Sequence, residues 1–324
     1  MVIYMQELFI GETIRQKRLK DGKTQEQLCE GLCDPATLSR IENGKQAPSR
    51  NVSNALLQRL GLPYDRYYTF LTSKEAEADD LWAKIDNCAA RFQLSLGSEK
   101  SQARLDALEQ LDRLEVVTGT GDNIGRQYTL AMRAALGGET GPHSLEARLD
   151  MLLEAIRLTV PHFDLEAMDD RLYSIDEVKI ISQIAEAYSE AGQHEKAAGI
   201  FSQLLTYVRD HYQNVTNPSR YLSPTAFNYA RELCLTGRYA EALDIAELGQ
   251  RLCLDYGYCQ SLPGLLAVMA ECRYAMGEYE QSRALYCQAY YLFKETGNAS
   301  GLADVEEKAR KHLNLEFALQ GALV

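Results

Sequence analysis

Beyond residue 72 the sequence has few chain breakers; the whole chain carries only eight Pro in 324 residues. Where breakers are rare, long helices are the default reading. No apolar stretch approaches the ~20 residues that a membrane helix needs. Met1-Val2-Ile3-Tyr4-Met5 lacks the basic start and long apolar run of a secretory signal. Both absences lead us to expect a cytoplasmic protein with no membrane partner. The eight Cys contain no CxxC pair and share no ligand spacing with the five scattered His. Cys29, Cys234, Cys253, Cys272 and Cys287 fall in helical patterns among apolar residues and read as small core hydrophobes; a redox switch stays open. No nucleophile–base pair appears, and His143, His162, His194, His211 and His312 are isolated from one another. Gly119-Thr120-Gly121-Asp122-Asn123 follows no strand and is too short to cradle a phosphate, so it reads as a helix–helix turn. We therefore expect no enzyme activity, no metal and no cofactor.

Positive charge is also scarce, with 34 Lys and Arg against 46 Asp and Glu, a net charge of −12. The deficit is not evenly spread. Residues 1–72 hold ten basic and eight acidic side chains, which leaves 24 against 38 for the remainder. A mildly basic head is thus followed by an acidic body that repels polyanions. At this length two or three domains are expected.

The densest local signal lies in residues 24–44. Thr24 is placed to cap a helix, and Gln27 three residues on completes a capping box. Leu28 and Leu32 form one apolar stripe, and Gly31 and Cys33 mark a turn. Asp34 caps a second helix with Pro35 at its first position. Leu38 and Ile41 face inward, and Gly44 ends that helix. Two short helices joined by a tight turn make a helix-turn-helix, whose second helix reads DNA.

Thr24-Gln25-Glu26-Gln27-Leu28, followed by Leu38-Ser39-Arg40-Ile41-Glu42-Asn43-Gly44-Lys45, resembles the XRE-type, lambda-repressor-like helix-turn-helix family. The resemblance spans residues 7–72. Ile10, Ile14 and Arg18 lie on a preceding helix. Ser49 caps a following one carrying Val52, Leu56, Leu57 and Leu60. Pro63 opens a fifth with Tyr67, Phe70 and Leu71. The resemblance implies that Gln25 holds a phosphate of double-stranded DNA from a helix N-terminus. It further implies that Arg18 pairs with Glu42 to orient the reading helix, and that Pro35, Ala36 and Arg40 face base edges. Pro35 and Ala36 carry no side-chain donor, which departs from the common pattern. Hydrogen-bonded readout then falls on Arg40, Thr37 and Ser39, with Ala36 against a thymine methyl. Arg15, Lys17 and Lys45 read as phosphate contacts, and Asn43 completes the DNA-binding set.

Residues 73–324 read as one helical domain. The pattern predicts helices over 74–96, with Leu81, Trp82, Ile85, Ala89, Phe92 and Leu96 on one face, and over 99–117, with Leu105, Leu108, Leu111 and Leu114 facing in. Two more follow at roughly 124–136 and 144–159. Within residues 175–295 three segments share one internal pattern: Ala185 to Ala197, Ala230 to Ala242 and Ala270 to Ser282. Each has a small residue, a Gly seven on (Gly192, Gly237, Gly277), His194, Tyr239 or Tyr279 two later, and Ala or Ser three after that. Phe201, Ala246 and Tyr286 come four residues further on. Small residues let paired helices approach, the Gly turns the chain, and the larger residue packs into the next unit.

These segments resemble the tetratricopeptide repeat, although the spacings between the Gly residues are 45 and 40 against about 34 in the consensus, and the consensus Trp is replaced by Ile181, Ala226 and Leu266. A capping helix is expected over 299–318, with Leu302, Val305, Ala309, Leu313 and Phe317 inward. The fold class is thus all-α: a five-helix head followed by an α-solenoid of tetratricopeptide-like hairpins. The combination resembles the peptide-sensing regulators grouped with Rgg, PlcR and PrgX. That resemblance implies a homodimer whose concave groove binds a short peptide in a quorum-sensing role. First helices of each pair line the groove, which gives Lys179, Gln183, Glu186, Asn228, Arg231, Glu271 and Tyr274 as peptide-binding candidates. Asn supplies both donors and acceptors for a peptide backbone. The alternative is a regulator whose repeats only dimerise or recruit a protein partner.

Overall fold

The computed structural model describes residues 10–63, 73–119, 121–137, 143–168, 171–213, 215 and 217–317, with the side chains of 73–75 left aside. All regular structure among them is helical. The chain divides into two compact units. One comprises Met1–Trp82, Leu111–Gln183 and His211–Thr216; the other comprises Ala83–Gln110, Ile184–Asp210 and Asn217–Val324.

The head begins with α1 (Ile10–Lys20), α2 (Gln25–Cys29), α3 (Pro35–Glu42) and α4 (Arg50–Arg59). Local chemistry sets each start. At α2 the Thr24 hydroxyl accepts the Gln27 N–H at 3.1 Å while the Gln27 side chain accepts the Thr24 N–H at 2.8 Å. Asp34 accepts the Thr37 N–H at 2.8 Å at the start of α3, with Pro35 in the first turn. Ser49 caps α4 by accepting the Val52 N–H. Each such cap contributes about 1 kcal/mol by satisfying donors that helix geometry leaves orphaned. Ile14, Leu28, Leu38, Ile41, Leu56 and Leu57 are all fully buried. Leu172, far along the chain, completes this core. The fifth helix expected after Pro63 lies outside the described residues.

Four helices follow: α5 (Ser73–Leu94), α6 (Gly97–Thr118), α7 (Asn123–Leu136) and α8 (Leu145–Thr159). Along α6 the expected inward row is corrected. Leu105 is 58% exposed, whereas Ala103, Ala107, Leu111 and Leu114 are fully buried. Steps of three rotate around a helix of 3.6 residues per turn, so a run of Leu at that spacing drifts off the buried face. On α5 the buried face is Leu81, Ile85 and Cys88; α5 ends at Leu94, so Leu96 falls in the turn and is exposed.

The repeats are α9 (Ile175–Glu190) with α10 (His194–His211), α11 (Ser219–Leu235) with α12 (Tyr239–Tyr256), and α13 (Leu262–Ala275) with α14 (Tyr279–Glu295). They are followed by α15 (Ala299–Leu313). Gly192, Gly237 and Gly277 turn each pair with φ of 73°, 79° and 84°, a region where a Cβ costs about 1–2 kcal/mol. Ala185, Ala230, Ala270, Ala197, Ala242 and Ser282 are fully buried, as are Phe201, Ala246 and Tyr286. In the second unit α11 packs on α12, α12 on α13, α13 on α14 and α14 on α15, while α11 also meets α13. That is the neighbour order of a solenoid. Enlarging a buried Ala, as in Ala230→Leu, should cost about 1–3 kcal/mol of overpacking.

Candidate functional site

The reading helix is held from beneath. Arg18 on α1 donates from Nε and Nη2 to the two carboxylate oxygens of Glu42 at 2.6 and 2.9 Å, and from Nη1 to the Lys23 carbonyl at 2.9 Å. Both side chains are buried. The hydrogen bond to Glu42 raises the Arg18 pKa above its usual value, against the lowering by burial. Gln25 also donates to Glu42, at 2.7 Å. The side chain that the resemblance assigns to a phosphate therefore braces α3 in this structure.

The upper face of α3 is open. Pro35, Ala36, Arg40, Asn43 and Lys45 are exposed, and Thr37 and Ser39 are half-buried. The Thr37 hydroxyl donates to Asp34 at 2.7 Å and accepts from Arg40 at 3.0 Å. Those Thr37 contacts hold the Asp34 carboxyl below its usual range. Arg40 is thus preset near the start of α3, and Thr37 is already engaged. Asn43 donates to the Ser39 carbonyl at 2.7 Å and so helps close the helix. On α1, Lys17 pairs with Asp21 at 2.7 Å, while Arg15 is exposed.

Sequence reasoning missed the residue that seats the head. Arg59, at the end of α4, is 2% exposed. Its Nη1 donates to the carbonyls of Leu28 and Glu30 at 3.0 and 2.8 Å. Its Nη2 donates to the Thr159 carbonyl at 3.0 Å and to Glu177 at 2.8 Å. Glu177 is itself fully buried and closes the first turn of α9, accepting the Ser174 N–H at 2.5 Å. Gln58, beside Arg59, accepts the Ile175 N–H at 3.0 Å. Two successive residues of α4 therefore grip the start of α9. The close approach shows in the backbone as well. A Cβ on Gly31 would lie 2.1 Å from the Thr159 carbonyl oxygen, and one on Gly61 would lie 2.1 Å from that of His211. Ser174-Ile175-Asp176-Glu177 is a capping-box sequence, and it was the one available signal for Glu177.

The groove candidates fall into separate groups. Lys179, in the first unit, pairs with Asp176 at 2.9 Å. Gln183, in the same unit, has a buried Oε1 with no hydrogen-bond partner. In the second unit Asn228 donates to Glu186 at 2.9 Å, which ties α11 to α9. Arg231 donates to Glu232 at 3.2 and 3.3 Å and lies over the Phe227 ring. Glu232 is fully buried and also accepts from Ser189 at 2.8 Å and meets His194 at 3.0 Å. Glu271 and Tyr274 face the capping helix: Glu271 accepts from Lys308 at 2.8 Å, and Tyr274 stacks on His312 at 4.4 Å between centroids. The geometry brings Glu186 to Asn228 and gives Glu271 and Tyr274 to α15. Among the described residues no group of His, Cys, Asp and Glu is arranged to hold a metal ion. No described helix is long and apolar enough to cross a membrane.

Residues 14–66 match the model of the Helix-turn-helix family, and this stretch of the chain belongs to it. The chain is therefore a helix-turn-helix DNA-binding regulator with a tetratricopeptide-like helical body. A search of curated proteins finds no match. Among solved structures, the fold is similar to apo PlcR from Bacillus thuringiensis. That match has a TM-score of 0.57 at 18% identity over 92% of this chain and 98% of that one. It is also similar to PlcR from the same organism in complex with the peptide PapR7 and DNA, with a TM-score of 0.54 at 17% identity over 95% and 99% of the two chains.

Proposed function

We propose that this chain is a peptide-responsive transcription regulator that acts as a homodimer in the cytoplasm. Arg40, with Thr37 and Ser39, reads base edges of duplex DNA, and Arg15, Lys17 and Lys45 contact phosphates. The observation that carries this reading is the open face of α3, braced from below by the buried Arg18–Glu42 pair, on a body folded like that of PlcR, which was crystallised with a peptide and DNA. The first helices of the repeats offer the peptide a surface with Asn228, Arg231 and Glu186, while Lys179 and Gln183 lie earlier on α9. Within the first unit, the first turn of α9 holds Arg59 of the head, and Gln183 lies further along the same helix. Peptide and operator affinities must then be coupled reciprocally, typically by about 1–3 kcal/mol.

The test is calorimetric titration of short peptides from the source organism into wild type and into the Asn228→Ala, Arg231→Ala double variant, with operator affinity measured alongside. Peptide binding that shifts operator affinity in wild type and vanishes in the double variant supports the reading. Light scattering should give a dimer at micromolar concentration. The engagement of Asn228 by Glu186 and of Tyr274 by His312 favours one second reading, in which the repeats serve only dimerisation or partner recruitment. It becomes the better one if no peptide binds.

A further inference from the structure

Arg59 has one donor left over. Its two terminal nitrogens make four hydrogen bonds, but its Nε is buried with no partner. A buried unpaired donor costs about 1–3 kcal/mol, and more when the group is charged, so the surroundings of this guanidinium call for an explanation in strain, water or an ion. Arg59 also lines a cavity of about 170 Å³, whose wall is completed by Lys23, Gln27, Glu30, Val160, Arg171 and Leu172. All seven residues lie within the first compact unit. The space far exceeds the about 10–15 Å³ that one water requires.

The wall is cationic. Among the described residues, Arg59, Lys23 and Arg171 line it against a single carboxylate, Glu30, which pairs with Arg171 at 3.1 Å. Glu177 neutralises Arg59 from its far side. Lys23 is half-buried and its ammonium has no partner among the described residues. Gln27 uses its carbonyl oxygen on the Thr24 N–H, which leaves its amide N–H₂ to donate. We propose that this cavity is an oxyanion site that takes a phosphate group, either inorganic phosphate or the phosphomonoester of a small metabolite. Lys23 and Arg171 supply charge, and the Gln27 amide supplies an oriented donor. Donors from several directions suit a tetrahedral group better than a planar carboxylate, and charge-assisted bonds of this kind are the strong ones. Lys23, Gln27, Glu30 and Arg59 belong to the head, whereas Val160, Arg171 and Leu172 come from the segments after α8. A bound phosphate would therefore bridge the head and the start of the body, and it would be linked to any motion between them. The proposal does not depend on a peptide ligand.

The experiment is calorimetric titration of the full chain, without DNA, with inorganic phosphate and separately with glycerol phosphate, against sodium chloride of equal ionic strength. Omitting DNA keeps Lys23 from reporting a nucleic-acid phosphate. We expect saturable one-to-one binding by at least one of the two probes, with the tighter probe identifying the source. Lys23→Gln should weaken it about tenfold, one decade of affinity. Glu30→Gln should tighten it, because it removes the only carboxylate on the wall among the described residues and frees Arg171. A gain of affinity cannot come from misfolding, so the second variant decides even if the first is unstable. Heats no larger than the chloride control for both probes, or equal affinity in wild type and both variants, would mean that the cavity holds only water and overturn the proposal.

Discussion

Removing Glu177 should loosen the head from the body without touching the DNA-reading face. The side chain is fully buried, pairs with Arg59 at 2.8 Å and accepts the Ser174 N–H at 2.5 Å. In Glu177→Ala the guanidinium keeps three carbonyl acceptors but loses its counter-charge, and Ser174 loses its acceptor. Truncating one partner of a buried ion pair costs about 3–5 kcal/mol because the other charge stays buried. For a unit of 150–250 residues each kcal/mol moves Tm by about 2–4 °C, so a fall of roughly 6–20 °C is expected in the unit that holds the head. The double variant Arg59→Met, Glu177→Leu separates the pair from its desolvation cost. Replacing both charges with apolar groups is often neutral or stabilising, although here it also leaves the Leu28, Glu30 and Thr159 carbonyls without a donor. The coupling energy from the full cycle should be about 1–3 kcal/mol, with the double variant less damaged than the sum of the singles. Thermal unfolding with hydrogen exchange on the amides of α2 and α4 is the assay. Two results would refute the reasoning: a Glu177→Ala protein within about 1 kcal/mol of wild type, or strictly additive singles.

Three further outcomes follow from the same geometry. Arg40→Ala should cost about 1–3 kcal/mol on the cognate operator and relax one base preference, whereas an unchanged preference in a randomised site library removes Arg40 from the readout. Lys45→Ala should weaken all DNA sites alike and lower the salt slope of log K by about 1, which a salt titration of wild type and variant measures. Burial holds His312 below its usual 6.5, with Glu271 opposing and Lys311 and Lys308 adding to the shift. A depressed folded value means that the unfolded chain binds the proton first. The stability contributed by His312 is therefore present above pH 6.5 and lost as pH falls through and below it. His312→Gln should flatten that acid limb in melts of the second unit; an unchanged limb would place the titration elsewhere.

What could be read in the sequence was what depends on neighbours along it. The Thr24–Gln27 box, the Asp34 cap and the three repeat glycines are local devices with fixed offsets, and each stands where the spacing put it. Arg18 with Glu42 was legible only through resemblance. Arg59 with Glu177 was not legible, because the partners are 118 residues apart and the other acceptors are carbonyls, which carry no residue identity. Leu105 misled because a row of leucines suggested an inward stripe that helical geometry does not keep. Glu271 and Tyr274 sit on the first helix of the last pair, as the repeat pattern implied. Their partners, Lys308 and His312, lie on the capping helix expected over 299–318, but only its apolar face was read from the sequence, not the polar residues that meet the last pair.

The two glycines that meet body carbonyls, Gly31 against Thr159 and Gly61 against His211, bear on how such a protein can be rebuilt or can evolve. Helix-turn-helix heads are often treated as cartridges, exchangeable between regulators to redirect them to new operators. Here the cartridge has a keyed back. A donor head with any side chain at position 31 or 61 would collide with main chain, which cannot step aside as a flexible side chain can. It would also lack Arg59 for the acceptors that the body presents. A working chimera would have to carry the socket along with the head, cutting after the first turn of α9 rather than between α4 and α5. Changes of operator preference in this lineage should accordingly accumulate by substitution on the open face of α3, and not by exchange of whole heads.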